Sequence, residues 1–425
     1  MFETSFYTLA AVILVGVPLY AWRVRGRTYA IFGGVVLGLS MPGLFFTLPN
    51  FAVWFPEPSL PYVRFLALYC LGTAGIHMGH LVRARMRSRT FRLLVSVPGQ
   101  ATIAGGFLTV GWLLLTLPVR ALFAVLEFDV GSTALVWLGL LPPVVALISI
   151  FTSARPVVEV VRVTLGTDGP ADVTRMPVER HRKRMPPALD TRPLRIVQIT
   201  DPHLGPWQSV RALREIVSNL AEHEPDLFLL TGDFLTMESM GTPGSLHEAL
   251  APLKAHPGRC FAIFGNHDHE APEEVRAALA HNGIELLVDQ ETIVETPVGP
   301  VQLIGADYVG RGRGEHLKAL LGRFARREDH VRLLMLHDPL GFRDIESGAV
   351  DLVLSGHTHG GQVGLVSLGF DWTVLTRSPW PDHGLFALGS NRLYVHRGTG
   401  FYGFPLRVGV PGEASLMELI VNEED

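Results

Sequence analysis

Five apolar runs, each close to the roughly 20 residues that cross a ~30 Å hydrocarbon layer, crowd the start of this chain. They fall at Phe6–Trp22, Tyr29–Leu48, Leu60–Leu81, Leu93–Leu117 and Thr133–Phe151. A sequence with that pattern cannot form one water-soluble globule. The internal prolines Pro18, Pro42, Pro98, Pro142 and Pro143 are compatible with spanning helices, because neighbouring helices satisfy the backbone groups that proline frees. The first run lacks a basic leader and ends in arginine, so it reads as a span rather than a cleaved signal peptide. Charge separates the two parts of the chain. Ten arginines against four acidic residues precede Arg155, a balance of +6, and the overall −4 leaves −10 for the remainder. The spans predict a membrane region over 1–153, a linker over 154–193 and a separate domain over 194–425.

Arginine placement sets the expected topology. Arg23, Arg25 and Arg27 follow the first run, and Arg83, Arg85, Arg87, Arg89 and Arg92 follow the third. Positive-inside bias then puts the N-terminus outside and everything after the fifth run in the cytoplasm, as in a multi-pass protein of the inner (plasma) membrane. Val119–Phe128 is apolar enough for a re-entrant or interfacial piece. Gly34 with Gly38, and Gly75 with Gly79, match small-residue faces that pack spans against one another. His77 and His80 lie beside the arginine cluster and read as interfacial residues. In the linker, Val157–Leu165 alternates valine with charge, which suits a strand. The run His181-Arg182-Lys183-Arg184 suits either anionic lipid or solvent.

Cys70 and Cys260 stand in different regions, which excludes a disulfide framework. The acidic second part makes nucleic acid an unexpected partner, since phosphate binding needs a basic surface. Membrane lipids are the partners that the apolar runs lead one to expect.

There, strands and helices alternate. Strands are expected at Leu194–Thr200, Asp226–Thr231, Arg259–Phe264, Arg332–Leu336 and Asp351–Ser355. Helices are expected near Ser209–Glu222, Leu246–Ala255, Pro272–His281 and His316–Arg326. Buried strands alternating with helices argue for an α/β core. Each strand closes on polar residues, where such folds place their sites. Those residues are Asp201, His203, Asp233, Asn266, His267, Asp268, His337, His357 and His359. No serine or cysteine nucleophile with a matching base accompanies them. Carboxylate, imidazole and amide oxygen without thiolate suit two divalent metal ions such as Mn, Fe or Zn. A pair of such ions can clamp a phosphoryl displacement.

The ordered series Asp201-x-His203, Gly232-Asp233, Gly265-Asn266-His267-Asp268, His337 and Gly356-His357-Thr358-His359 resembles the calcineurin-like metallophosphoesterase family, over Leu194 to about Leu419. The resemblance implies a core of two facing mixed β-sheets flanked by helices. It also implies that Asp201, His203 and His359 hold one metal, that Asn266, His337 and His357 hold the other, and that Asp233 bridges them. His267 would be the general acid, with Asp268 orienting its ring. Gly360-Gly361-Gln362, and Gly398 to Gly403 leading to Pro405, resemble a membrane-attached bacterial subgroup. Some members of that subgroup act on phosphodiester or pyrophosphate bonds of envelope lipid precursors. The soluble UDP-diacylglucosamine hydrolases of the superfamily carry arginine where this chain has His267, which weakens transfer of their substrate.

The expectation is therefore a membrane-anchored dimetal phosphoesterase. It would cleave phosphodiester or pyrophosphate bonds by attack of a metal-activated hydroxide on a lipid-linked or nucleotide-linked phosphate. Two alternatives stay open: a membrane sensor or transporter-like protein with a regulatory phosphoesterase domain, and a phosphatase of soluble phosphomonoesters.

Overall fold

Leu227 to Leu230 shows in four residues how the second part is built. Leu227 and Leu229 point into one apolar core, and Phe228 and Leu230 point into another. Successive strand side chains face opposite sides, so an uninterrupted apolar run marks a strand buried on both faces. The computed structural model describes the chain except for residues 84, 167, 183–185, 188, 206, 404–405 and 422–425. Lys183 and Arg184 of the basic run, and Pro405, lie outside the described residues. The rest forms two compact units that divide between Thr152 and Ser153.

In the second unit the strands are β1 (Val157–Thr164), β2 (Thr174–Met176), β3 (Glu179–Arg182), β4 (Leu194–Ile199), β5 (Leu227–Leu230), β6 (Cys260–Ala262) and β7 (Glu285–Leu286). They continue with β8 (Gln290–Thr296), β9 (Gly299–Gly305), β10 (Val331–Met335), β11 (Leu352–Ser355), β12 (Gly384–Leu388), β13 (Asn391–Val395) and β14 (Glu413–Ile420). One seven-stranded sheet has the order β3-β1-β14-β4-β5-β6-β7, the other β2-β12-β13-β11-β10-β9-β8. Both mix parallel and antiparallel pairs, and β4, β5 and β6 in the first, like β9, β10, β11 and β13 in the second, run parallel.

The sheets meet face to face through Leu194, Ile196, Leu229 and Phe261 on one side and Leu303, Leu333, Leu352 and Tyr394 on the other. Outside the first sheet, helices Val210–Ala221 and Pro272–His281 bury Leu213, Val217, Val275 and Leu279. Outside the second, helix Arg313–Arg323 buries Leu317 and Leu320. A Leu→Ala change at any of these fully buried sites would cost about 2–5 kcal/mol. The helix expected over Leu246–Ala255 breaks into Ser245–Ala249 and a 3₁₀ turn Ala251–Ala255, because Pro252 has no N–H to continue the ladder.

The stretch expected as a linker supplies strands instead. β1 lies parallel to β14 and antiparallel to β3, and β2 pairs with β12. Arg162 reaches Glu418 at 2.9 Å, and Arg182 of the basic run reaches Glu159 at 3.0 Å. Charged residues that look solvated in the sequence are partnered across the sheet.

In the first unit, five helices among the described residues are long and apolar enough to cross a membrane: Phe2–Arg25, Arg27–Trp54, Glu57–Leu81, Arg89–Val125 and Asp129–Ser153. Phe6, Ile13, Leu37, Met41, Leu71, Met78 and Ile103 pack together, while Val12, Phe65 and Leu115 face outward. Apolar surface on both sides of a helix is the mark of a lipid-exposed bundle. Of Val119–Phe128, read as a re-entrant or interfacial piece, residues 119–125 continue the fourth helix past Pro118.

Close packing falls on different glycines from those the small-residue pattern singles out. A Cβ on Gly43 would lie 2.0 Å from the Gly106 carbonyl oxygen, and one on Gly99 2.7 Å from that of Thr73. Gly38 and Gly79 face open space, and only Gly75, against Ile13, is tight among the four expected. His77 is buried within the bundle, with its ring nitrogen 2.8 Å from Gln100.

Candidate metal centre

Parallel strands deliver their carboxyl ends to one rim, so β4, β5, β6, β10 and β11 bring residues from five distant parts of the chain together. The backbone there is strained. Asp201, His203, Asp233, His357 and His359 all have φ between 43° and 70°. Non-glycine residues rarely adopt that region, and such strain collects at functional sites where surrounding structure enforces it. Space is also short. A Cβ on Gly356 would sit 2.1 Å from Asp201 Oδ2, and one on Gly265 2.2 Å from Asp233 Oδ1.

Two groups of side chains converge. Asp201, His203 and His359 place one ligand atom each within 4.8 Å of one another, as do Asp233, His337 and His357. His359 Nε2 lies 3.3 Å from Asp201 Oδ1 and 3.1 Å from His203 Nε2. His357 faces His337 Nε2 with Nδ1, at 3.3 Å. Asp233 Oδ2 stands between the groups, 3.7 Å from His203 Nε2 and 3.2 Å from His337 Nε2. Asn266 follows β6 on the same rim, and its buried Oδ1 has no hydrogen-bond partner among the described residues.

These donors fit divalent cations. Burial holds His203 down to about 3 and His357 to about 4, so both are neutral imidazoles with a lone pair to offer. Burial lowers the pKa of His359 as well, and the facing Nε2 atoms of His203 and His359, 3.1 Å apart, can share at most one proton, whereas a cation would satisfy both. Burial opposes charge on His337, but the Asp233 carboxylate overrides it and raises His337 to about 10. Burial likewise opposes charge on Asp233, which His337 nevertheless holds well below the usual carboxylate range. A cation would take the place of that proton. His337 Nδ1 meets the Thr231 carbonyl at 2.7 Å, which directs Nε2 into the site. Thr200 and the His357 N–H donate to Asp201 at 2.7 and 3.0 Å and hold its carboxylate in place.

His267 sits at the edge of this arrangement. Its backbone N–H donates to Asp233 Oδ1 at 2.9 Å, and its Nδ1 meets Glu270 Oε1 at 2.9 Å. The ring contact expected of Asp268 therefore belongs to Glu270. The Asp268 carboxylate instead accepts the backbone N–H groups of Asp233, Phe234 and Gly265 at 2.7 to 2.8 Å, tying the two strand ends together. Spacing of three residues on a helical turn is the signal in the sequence that points to Glu270.

Three further residues have no local signal. Tyr402 stacks on His267 with centroids 4.4 Å apart, Tyr308 lies near His337 and His357, and buried Arg407 donates to the His359 carbonyl at 3.1 Å. They arrive from elsewhere in the chain. Of the other histidines, His269 pairs with Asp307 at 3.0 Å, and His383 and His396 are buried apart from the two groups.

Comparison with known proteins places this site in a family context. A family model described as calcineurin-like phosphoesterase matches residues 194–361. Phosphodiesterase YaeI of Escherichia coli is 28% identical over 233 residues, 54% of this chain and 83% of that protein. The metallophosphoesterase YkoQ of Bacillus subtilis is 30% identical over 238 residues, 53% of this chain and 83% of that protein. A transmembrane protein with metallophosphoesterase domain from Danio rerio is 33% identical over 253 residues, 56% of this chain and 55% of that protein.

Proposed function

Because this chain belongs to the calcineurin-like phosphoesterase family and is a metal-dependent phosphoester hydrolase, we propose that it cleaves phosphodiester or pyrophosphate bonds of a lipid-linked or nucleotide-linked substrate from a membrane anchor. The observation that carries this reading is Asp233 Oδ2, within 3.7 Å of ring nitrogens from both ligand groups. Asp201, His203 and His359 would hold one divalent cation, Asn266, His337 and His357 the other, and Asp233 both. When bound, the pair supplies an activated water and neutralises phosphoryl charge.

The remaining work falls to the chain's own side chains. With Nδ1 engaged by Glu270, His267 keeps Nε2 to protonate the leaving oxygen. Burial works against its charge, but Glu270 and Asp233 outweigh burial and raise its pKa above the ordinary imidazole value. That favours an acid still protonated at neutral pH. Asp268 fixes the loops that carry Asp233 and His267. The Escherichia coli relative, a phosphodiesterase, supports a diester substrate, and the Danio rerio relative, a transmembrane protein, supports a membrane setting. Residues 1–153 would form the anchor, with the catalytic unit on the cytoplasmic face. A reporter fused at Arg192 that reads as extracytoplasmic would overturn that placement.

The test is Mn²⁺- or Zn²⁺-dependent hydrolysis of bis-p-nitrophenyl phosphate by the detergent-purified full chain, beside Asp233→Asn, with metal content measured. Turnover by the wild type, and loss of both metal and turnover in Asp233→Asn, is expected. Metal-loaded wild type inactive on diesters, monoesters and diphosphates alike would refute the reading. Turnover of mononucleotides alone would select the soluble phosphatase.

A further inference from the structure

The second unit hides its apolar side chains well, with one exception. Among the described residues, eight large apolar side chains of this unit are exposed, and six of them fall between Leu365 and Trp380. Leu368 is 71% exposed, Phe370 61%, Val374 54% and Trp372 48%, with Leu365 and Trp380 beside them. Scattered exposed leucines need no explanation, but a run of this kind on one loop marks an interaction surface.

This loop is built rather than loose. Leu365 N–H donates to the Trp372 carbonyl at 2.8 Å, and Val374 N–H to that of Val363 at 3.0 Å, closing a hairpin-like turn. Its base is tied at Gly364 N–H to the Val408 carbonyl and Ser367 N–H to that of Gly409, at 2.9 and 2.8 Å. Thr373 is buried and bonds the buried Asp382. Backbone and polar groups are satisfied inward while the largest apolar side chains are held outward. A loop selected for water would show the reverse.

Its position ties it to the site. A Cβ placed on Gly361 would lie 3.1 Å from both Val374 and Leu375, so the loop rests on the residue two beyond His359. Between Val363 and Trp380 only Asp371 and Arg377 are charged. Tryptophan, phenylalanine and leucine with so little charge is the composition that settles at the boundary of headgroups and acyl chains. The chain also carries five helices long and apolar enough to cross a bilayer, so a lipid surface is the partner for which it is already equipped.

We propose that the 365–380 loop inserts Leu368, Phe370 and Trp372 into the acyl boundary of a lipid leaflet and presents phosphoesters held in that leaflet to the adjoining site. This deepens the function proposed above and rests on it for the chemistry, though not for the docking. The substrate class it selects is a phosphoester with acyl or prenyl chains, drawn from the leaflet without full transfer into water.

The test uses the full-length protein in phosphatidylcholine nanodiscs. A bimane label on Leu368→Cys is compared with one on Glu295→Cys, an exposed position on β8, using acyl chains brominated at mid-length as quencher. The unsubstituted chain with Cys70 and Cys260 is the labelling blank. Quenching at position 368 and none at 295 is expected. No quenching at 368 overturns the proposal, whether iodide reaches the label, as for a water-exposed loop, or fails to, as for a loop covered by protein.

A kinetic arm compares the p-nitrophenyl ester of dioleoylphosphatidic acid in the disc with soluble bis-p-nitrophenyl phosphate, which shares the leaving group. The triple variant Leu368→Asp, Phe370→Asp, Trp372→Asp is expected to lose at least about tenfold on the lipid ester and to keep its rate on the soluble one, since these residues lie outside the catalytic groups. Equal loss on both, or none on the lipid ester, overturns the proposal. Quenching of the label at 368 together with a wild type inactive on every phosphoester would leave the docking standing and remove the hydrolase reading.

Discussion

Replacing Glu270 by Gln keeps the side chain's shape and removes its charge from His267 Nδ1, which it meets at 2.9 Å. Burial works against a charged His267, and the Glu270 hydrogen bond with the field of Asp233 outweighs it, so the pKa lies above the ordinary imidazole value. Taking away the Glu270 charge lowers that pKa. The proton donor is then depleted at a lower pH. Because the Glu270 side chain is 41% exposed, solvent screens the pair. A pair in that setting contributes on the order of 1 kcal/mol. At about 1.4 kcal/mol per pH unit, the expected movement is roughly 0.5–1 unit downward.

The assay is kcat against pH for two phosphodiesters, one with an alkyl leaving group that needs a proton to depart and one with p-nitrophenolate, which does not. Glu270→Gln is expected to draw the alkaline limb of the alkyl ester down and leave that of the aryl ester in place. His267→Ala should cost roughly 10²–10⁴-fold on the alkyl ester and far less on the aryl one. If Glu270→Gln scaled the rate equally at every pH without moving the limb, the residue would serve only the loop's structure and the reasoning would fail.

Gly356→Ala would put a methyl group 2.1 Å from Asp201 Oδ2, so it is expected to lower bound metal below the wild-type content and remove most activity, read by metal analysis of folded protein. Chelation should lower the melting temperature of the catalytic unit: a cation at about 100 times its Kd contributes ~2.7 kcal/mol, or roughly 5–10 °C for a unit of this size, read by thermal unfolding with and without EDTA. Unchanged melting would count against a metal bound only by the folded state. Arg397 is wholly buried and pairs with Glu159 and Glu413, so Arg397→Ala should destabilise by about 3–5 kcal/mol by leaving two buried carboxylates with less compensation. Denaturant unfolding checks this, and a change below about 1 kcal/mol would mean that Arg180 and Arg182 suffice to balance the two acids.

Much of this protein is legible locally. A run of apolar residues long enough to cross a bilayer, or a β-branched run closing on Asp-x-His or Gly-Asn-His-Asp, is written in consecutive residues. The physics that reads it, burial on one or both faces of an element, acts at the same range. Hence the five long apolar helices could be expected, and the strands ending at Asp201, Asp233, Asn266, His337 and His357 at nearly their observed bounds. What tertiary structure decided depends on groups far apart in the chain. β1 pairs with β14 across more than two hundred residues, and no local pattern carries that register. Glu270 rather than Asp268 meets the His267 ring because the Asp268 carboxylate is turned toward three backbone N–H groups, two of which belong to another strand end. Gly43 and Gly106 touch because two helices cross there, which spacing along either one cannot show. Periodicity tells a residue which face it is on, and only the packed fold tells it what it faces.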